Sequence, residues 1–201
     1  MKQKIILKSN EMFLKHGFKS VTMDDIANEM AISKKTIYQH FENKIDLIEA
    51  TTQYLFETIS CGVDEIYAMD KNPIEELFII KDFVLNKLKD ESTSAIYQLQ
   101  KFYPQIHKKL MAGQFDKMGD CVIENLQKGI KQGLFRPQIN SEIIARLYFA
   151  GMSNLKDAEL FDPKKFSPTT VQETYLEYHL RSICTEKGLT ILEHFLNPTQ
   201  S

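Results

Sequence analysis

Apolar residues recur three or four positions apart along most of this chain, a spacing that is typical of amphipathic helices. The first such stripe lies within residues 2–17 and includes Ile5, Met12 and Phe13. Gly17 follows it, in the position where a helix commonly ends in a left-handed conformation. No segment alternates apolar and polar residues as a strand does, and no internal repeat is present. The pattern therefore predicts an all-α fold.

Further stripes and helix-start signals divide the rest of the chain. Asn43 and Asp46 resemble a cap that opens a long helix over about 44–69. Asn72 followed by a proline is a strong start for the next helix. The remaining helices are predicted over 73–89, from Ser92 or Thr93 to Tyr103, and over 104–132, 141–156, 168–183 and 185–196.

Two short helices and a tight turn are predicted between residues 22 and 44. Thr22 and Asp25 have the spacing of a reciprocal cap, in which a hydroxyl and a carboxylate satisfy the first backbone N–H groups of a helix. Ser33 is a suitable cap for the second helix. Ile37 and Phe41 lie four residues apart and define its buried face.

The other faces of this second helix carry side chains that form hydrogen bonds, and the helix is too short to serve as a scaffold. Such a helix suits the major groove of double-stranded DNA, with Ser33 at its start. Candidates for contacts to base edges are Lys34, Lys35, Thr36 and Gln39, and candidates for phosphate contacts are Thr22, Tyr38, His40 and Lys44. The alternative is a solvated polar face without a partner.

The segments TMDDIA (22–27) and AISKKTIYQHF (31–41), followed by Lys44, resemble the DNA-binding domain of the TetR family of bacterial transcriptional regulators. The segment MFLKHGF (12–18) resembles the end of that family's first helix. Ala31 and Lys35 stand where the family usually has glycine, and Asn10 stands where it usually has an apolar residue. The preferred DNA sequence therefore does not transfer from relatives.

The resemblance implies a three-helix DNA-binding domain over residues 1–46, containing the helix-turn-helix. A long helix would join it to a larger helical effector-binding and dimerisation domain over residues 47–201. The resemblance also implies a homodimer on a pseudo-palindromic operator, most simply a repressor that a small-molecule effector releases. An effector-independent activator or architectural protein is the alternative. A helical enzyme or partner-binding module, with coincidental N-terminal similarity, is a third class.

The resemblance further implies an effector pocket in the C-terminal region, where aromatic and sulfur-containing side chains are dense. Candidate lining residues, with His107 and Cys121 as polar groups, are Phe78, Phe83, Tyr97, Phe102, His107, Phe115, Met118, Cys121, Phe149 and Met152. For each of them ordinary hydrophobic core is the alternative. Helices 141–156 and 168–183 are candidates for the dimer surface, with Tyr148, Tyr175, Tyr178 and His179 on it or on an internal face.

Composition narrows the class of protein without changing this picture. The 201 residues are 43% hydrophobic and 26% charged with a net charge of −2, which is ordinary globular composition. Residues 1–50 hold eight lysines and seven acidic residues. Three isolated cysteines, no signal peptide and no membrane-length apolar run favour a cytoplasmic protein. Catalytic and metal-ligand spacings are missing, so neither an enzyme nor a cofactor or metal is expected.

Overall fold

The computed structural model describes residues 1–88, 95–155, 157, 159–162 and 164–197. Within these residues the only β-pairing is an isolated bridge between Phe135 and Cys184. The predicted all-α fold is confirmed. The helices are α1 (Lys2–His16), α2 (Met23–Glu29), α3 (Lys34–Tyr38), α4 (Lys44–Ala68), α5 (Pro73–Lys87), α6 (Ala95–Phe102), α7 (Pro104–Lys131), α8 (Ser141–Asn154), α9 (Pro168–Ile183) and α10 (Glu186–Leu196).

Glycine and polar side chains cap several helix ends. Gly17 adopts a φ of 84° at the end of α1, and its N–H group donates to the Phe13 carbonyl. The side chain of Asn140 caps α8, and the hydroxyls of Ser167 and Thr185 cap α9 and α10. The predicted helix start at Ser92 or Thr93 and the predicted ends at 89 and 156 lie outside the described residues.

The chain forms two compact units, Met1–Cys61 with Lys87–Gly113 and Gly62–Asn86 with Gln114–Ser201, as far as these ranges are described. The first unit contains α1, α2, α3 and α6. Its core combines residues of the helix-turn-helix, such as Ile26 and Ile37, with Leu99 of α6 and Ile106 of α7. The division into domains at residue 46 remains a prediction.

The second unit has a separate core, in which Leu126, Phe135, Leu180 and Ile183 are almost completely buried. Its buried charge lies at Glu76, which has no exposed surface. The Glu76 carboxylate accepts hydrogen bonds from Lys128 Nζ at 2.7 Å and from Asn125 Nδ2 at 2.8 Å. A buried carboxylate requires such partners because removal from water destabilises its charge.

The turn after α2 has the geometry of a Schellman motif with alanine in the left-handed position. Ala31 has a φ of 52°, and its N–H group donates to the Asn28 carbonyl at 3.1 Å. The N–H group of Ile32 donates to the Ala27 carbonyl at 3.0 Å. Because a Cβ atom disfavours this conformation, the backbone at Ala31 is strained.

Replacing Ala31 by glycine is expected to stabilise the first unit by about 0.5–1 kcal/mol. Relief of the left-handed strain gives about 1–2 kcal/mol, and the greater entropy of glycine in the unfolded chain offsets about 0.4–1 kcal/mol of it. Thermal denaturation measures the change. The control is Ala112→Gly, inside α7 of the same unit, where glycine should destabilise by about 1 kcal/mol. Destabilisation by both variants would contradict the prediction.

Candidate nucleic-acid interface

The short helix α3 is held by one buried face. Ile37 has no exposed surface, and Phe41, just after the helix, is 1% exposed. Both belong to the core of the first unit together with Ile26 and Ala27 of α2. With its apolar side anchored in this way, α3 presents its remaining side chains to solvent.

Side-chain caps fix the starts of α2 and α3, and the cap of α2 is reciprocal. Asp25 N–H donates to Thr22 Oγ1 at 3.1 Å, and Thr22 N–H donates to Asp25 Oδ2 at 2.8 Å. The Thr22 hydroxyl also donates to Asp25, and these bonds hold the pKa of the carboxyl below its ordinary value. At α3, the Ser33 hydroxyl accepts a hydrogen bond from Thr36 N–H at 3.1 Å. Both predicted caps are present.

The predicted base-reading side chains lie on the solvent side of α3. Lys34, Lys35 and Gln39 are exposed, whereas Thr36 is half-buried beside Ser33. Tyr38, a predicted phosphate contact, is 45% exposed. The structure therefore places the predicted hydrogen-bonding groups on one accessible surface.

Of the predicted phosphate-binding residues, Lys44 is already engaged by its own chain. Its ammonium group donates to the Lys19 carbonyl at 3.2 Å, and burial lowers its pKa. This bond ties the α1–α2 connection to the start of α4. His40 is half-buried, directly before the core residue Phe41.

The α1–α2 connection is also held from α6, which sequence reasoning did not assign to this part of the molecule. Gln98 Oε1 accepts a hydrogen bond from Lys19 N–H at 2.9 Å. The Gln98 amide also lies so close to Gly17 that a Cβ atom there would collide with it. The Lys19 ammonium lies 4.5 Å from the centroid of the Phe102 ring. No local signal marks Gln98, because its partners are nearly eighty residues away along the chain.

The family model described as "Bacterial regulatory proteins, tetR family" matches residues 5–51. This range includes all the predicted DNA-contacting residues. Residues 5–51 of this chain are therefore a TetR-family DNA-binding domain. The helix-turn-helix is therefore the DNA-binding element of a transcriptional regulator.

The curated relatives of this chain include both an activator and a repressor of transcription. The transcriptional activator FasR of Mycolicibacterium smegmatis is 32% identical over 59 residues, which are 29% of this chain and 27% of FasR. The transcriptional repressor KstR2 of Mycobacterium tuberculosis is 22% identical over 138 residues, which are 67% of this chain and 69% of KstR2. The match thus spans about a quarter of FasR and about two thirds of KstR2.

Solved structures show that the TetR likeness extends over nearly the whole fold. A transcriptional regulator from Saccharomonospora viridis in complex with choline has a TM-score of 0.76 at 17% identity, covering 92% of this chain and 98% of that one. The KstR2 structure has a TM-score of 0.59 at 18% identity, covering 92% and 95%. At this identity the likeness concerns the fold alone.

The ten predicted effector-pocket residues are divided between the two units of the chain. Tyr97, Phe102 and His107 belong to the first unit, where the rings of Tyr97 and Phe102 are 39% and 40% exposed. The residues in the second unit are Phe78, Phe83, Phe115, Met118, Cys121, Phe149 and Met152.

Several members of the second group pack on their own neighbours. Phe115 and Phe149 meet edge to face with centroids 5.3 Å apart, and Phe78 stacks on Phe195 at 5.3 Å. The Phe83 ring lies against Gly62. A cleft of about 320 Å³ adjoins Phe115, and its other lining residues are Asp116, Gly119, Asp120, Ile123, Glu142, Ala145 and Arg146. The effector roles remain predictions.

The four candidates for the dimer surface differ in exposure. Tyr148 stacks on Tyr175 with centroids 5.8 Å apart and contacts His179 at 4.5 Å. His179 is 7% exposed, and burial lowers its pKa to about 4. Tyr178 is 70% exposed. In the single chain Tyr148, Tyr175 and His179 thus pack against one another on an internal face, which was the alternative to a dimer surface. The dimer roles of all four residues remain predictions.

Two exposed apolar residues of α8 escaped the sequence reasoning. Ile143 and Leu147 are 55% and 62% exposed and lie four residues apart on one helical face. Their apolar spacing was a usable signal, but a buried stripe gives the same pattern.

Among the described residues, none of the helices has the length and apolar character that a membrane span requires.

Proposed function

We propose that this chain is a dimeric, cytoplasmic transcriptional repressor that a small-molecule effector releases from a pseudo-palindromic operator. The observation that carries the DNA-binding part is the exposed polar face of α3, anchored from behind by Ile37 and Phe41. Its relatives reported above are transcriptional regulators rather than enzymes. The repressor KstR2, matched over two thirds of this chain, favours the same sign of regulation.

In this proposal the α3 side chains divide into two roles. Lys34, Lys35 and Gln39 read base edges in the major groove, where lysine pairs with guanine acceptors and glutamine with adenine. Tyr38, His40 and the N-termini of α2 and α3 contact phosphates, which fix register without reading sequence. Two such heads related by a two-fold axis bind half-sites about 34–36 Å apart.

The support for dimerisation comes from the second unit. Ile143 and Leu147 of α8 and Tyr178 of α9 are large apolar or amphipathic residues at the surface. Helices α8 and α9 pack on one another through Tyr148, Tyr175 and His179. An apolar face on two packed helices suits a seam with the same face of a second copy.

The support for an effector is the cleft beside Phe115, whose volume of about 320 Å³ lies at the small end of the range for ligand sites. Helices α4 and α7 contribute residues to both units, so they are the expected route by which a bound effector alters DNA affinity. A coupling of about 1–3 kcal/mol changes that affinity about 5- to 150-fold.

An effector-independent activator is the second candidate, and FasR favours activation as the sign of regulation. FasR is an activator and shares 32% identity with this chain over 59 residues. Sequencing the duplexes that the chain selects from a random pool, followed by reporter assays of the selected site, distinguishes the candidates. A fall in transcription supports the repressor, and a rise that needs no added ligand supports the activator.

Replacing Lys35 by alanine is expected to weaken binding to the selected duplex about 5- to 150-fold, the equivalent of ~1–3 kcal/mol, because a base contact is lost. Fluorescence anisotropy measures the affinities. Duplexes with single changed base pairs should show that the loss depends on sequence. Lys131→Ala, at an exposed lysine of the second unit, is the control and should bind as the unchanged chain does. A uniform loss across all duplexes would reassign Lys35 to a phosphate.

A further inference from the structure

An ion pair links the first turns of α2 and α3 on the DNA-binding surface. Lys34 Nζ lies 2.8 Å from Asp24 Oδ2, and the two side chains are 46% and 60% exposed. The hydrogen bond to Asp24 raises the pKa of Lys34, so its ammonium is fully charged near neutral pH. Lys34 is also the first residue of α3 and a predicted reader of base edges.

This pair matters because the basic surface around α3 is small. Only three lysines lie between Ser33 and Lys44. Two of these three ammonium groups already bind other groups of the chain. Lys34 pairs with Asp24, and Lys44 donates a hydrogen bond to the Lys19 carbonyl. The Asp25 carboxylate, next to Asp24 in the sequence, already accepts hydrogen bonds from Thr22 in the cap of α2. Asp24 is thus the acidic side chain that competes directly for a DNA-contacting cation.

We propose that Asp24 limits the affinity of this interface for DNA by competing with the nucleic acid for the Lys34 ammonium. This inference rests on the proposed DNA-binding function. It gives a role in that function to Asp24, which does not itself contact DNA. Non-specific binding depends almost entirely on cations that neutralise phosphates. Removing one cation from so small a set therefore weakens binding to non-operator DNA. Low affinity for the many competing genomic sites leaves more protein for the operator.

The test compares Asp24→Asn with a control that removes the same charge elsewhere in the head. Glu29 pairs with Lys8 at 3.0 Å, away from α3, so Glu29→Gln is that control. The probe is a fluorescein-labelled duplex of mixed sequence, titrated by anisotropy between about 50 and 200 mM salt. Thermal denaturation confirms that each variant is folded.

Asp24→Asn is expected to tighten binding about two- to fivefold at the lowest salt, the range of an exposed ion pair. The dependence of log affinity on log salt should steepen by about 0.9 per head, because on this non-operator duplex the released Lys34 ammonium neutralises a phosphate instead of reading a base. Glu29→Gln should change the affinity by less than about twofold. In a Lys34→Gln background, Asp24→Asn should have no effect.

Three outcomes would overturn this proposal alone, and a fourth would overturn the DNA-binding function with it. Equal tightening by Asp24→Asn and Glu29→Gln would show that net charge alone matters. The same tightening in the Lys34→Gln background would show that Asp24 repels phosphates directly, without competing for Lys34. Unchanged affinity and salt dependence of Asp24→Asn would leave the DNA-binding function intact and remove Asp24 from it. Failure of the unchanged chain to bind any duplex would overturn the DNA-binding function as well.

Discussion

Replacing Glu76 by alanine is expected to lower the free energy of unfolding by about 3 kcal/mol, the lower end of the range for breaking a buried ion pair. Glu76 has no exposed surface, and the variant leaves Lys128 and Asn125 without their carboxylate partner. The lower end applies because the Lys128 side chain is 26% exposed and also binds Asp70. Asn125 additionally retains the Pro73 carbonyl as an acceptor.

The surroundings of Lys128 show why loss of the Glu76 carboxylate should be destabilising. Burial alone lowers its pKa, yet Asp70 and Glu76 together raise the pKa above the ordinary value. The ammonium also donates to the Lys71 carbonyl at 2.6 Å. Through these bonds one lysine of α7 fastens both the start of α5 and the connection that precedes it.

Urea denaturation followed by far-ultraviolet circular dichroism measures the effect, since the chain has no tryptophan. Asp70→Asn is the matched control, because Asp70 binds the same lysine but its side chain is 90% exposed, and its loss should change little. Glu76→Leu combined with Lys128→Met removes both charges and should recover most of the stability. A loss below about 1 kcal/mol for Glu76→Ala would show that the pair contributes little.

The sequence predicted the features that depend on near neighbours along the chain. The predicted caps at Thr22 and Ser33 are both present, because each joins a side chain to a backbone group three residues away. The end of α1 at Gly17 follows from the conformational freedom of glycine. The polar face of α3 was predictable because the spacing of Ile37 and Phe41 determines which side is buried.

The features that sequence reasoning missed depend on tertiary contacts. Apolar spacing marks Leu99 as a core residue but does not say that its core is that of the DNA-binding head. Glu76 looks like an ordinary acidic residue in the first turn of a helix, and only the position of Lys128, fifty-two residues later, makes it a buried charge. Asp24 and Lys34 meet because the turn after α2 brings two helix starts together.

The exposed apolar face of α8 carries the second prediction with a large expected effect. Leu147→Glu should convert the proposed dimer into a monomer, because a seam on this face would bury a new carboxylate from each copy in an apolar contact. Leu147 is 62% exposed in the single chain, so the substitution should leave the monomer folded. Sedimentation equilibrium measures the association state.

Loss of the dimer should weaken binding to the selected pseudo-palindromic duplex by about 100-fold or more, because the second head no longer binds at a high effective concentration. Binding to a single half-site should stay unchanged, since α3 lies in the other unit. Gln127→Glu, which adds the same charge at an exposed polar position of α7, is the control and should remain dimeric. A Leu147→Glu variant that stays dimeric would place the seam on another face. A monomer that keeps full affinity for the duplex would show that a single head suffices, which the paired-head mechanism does not allow.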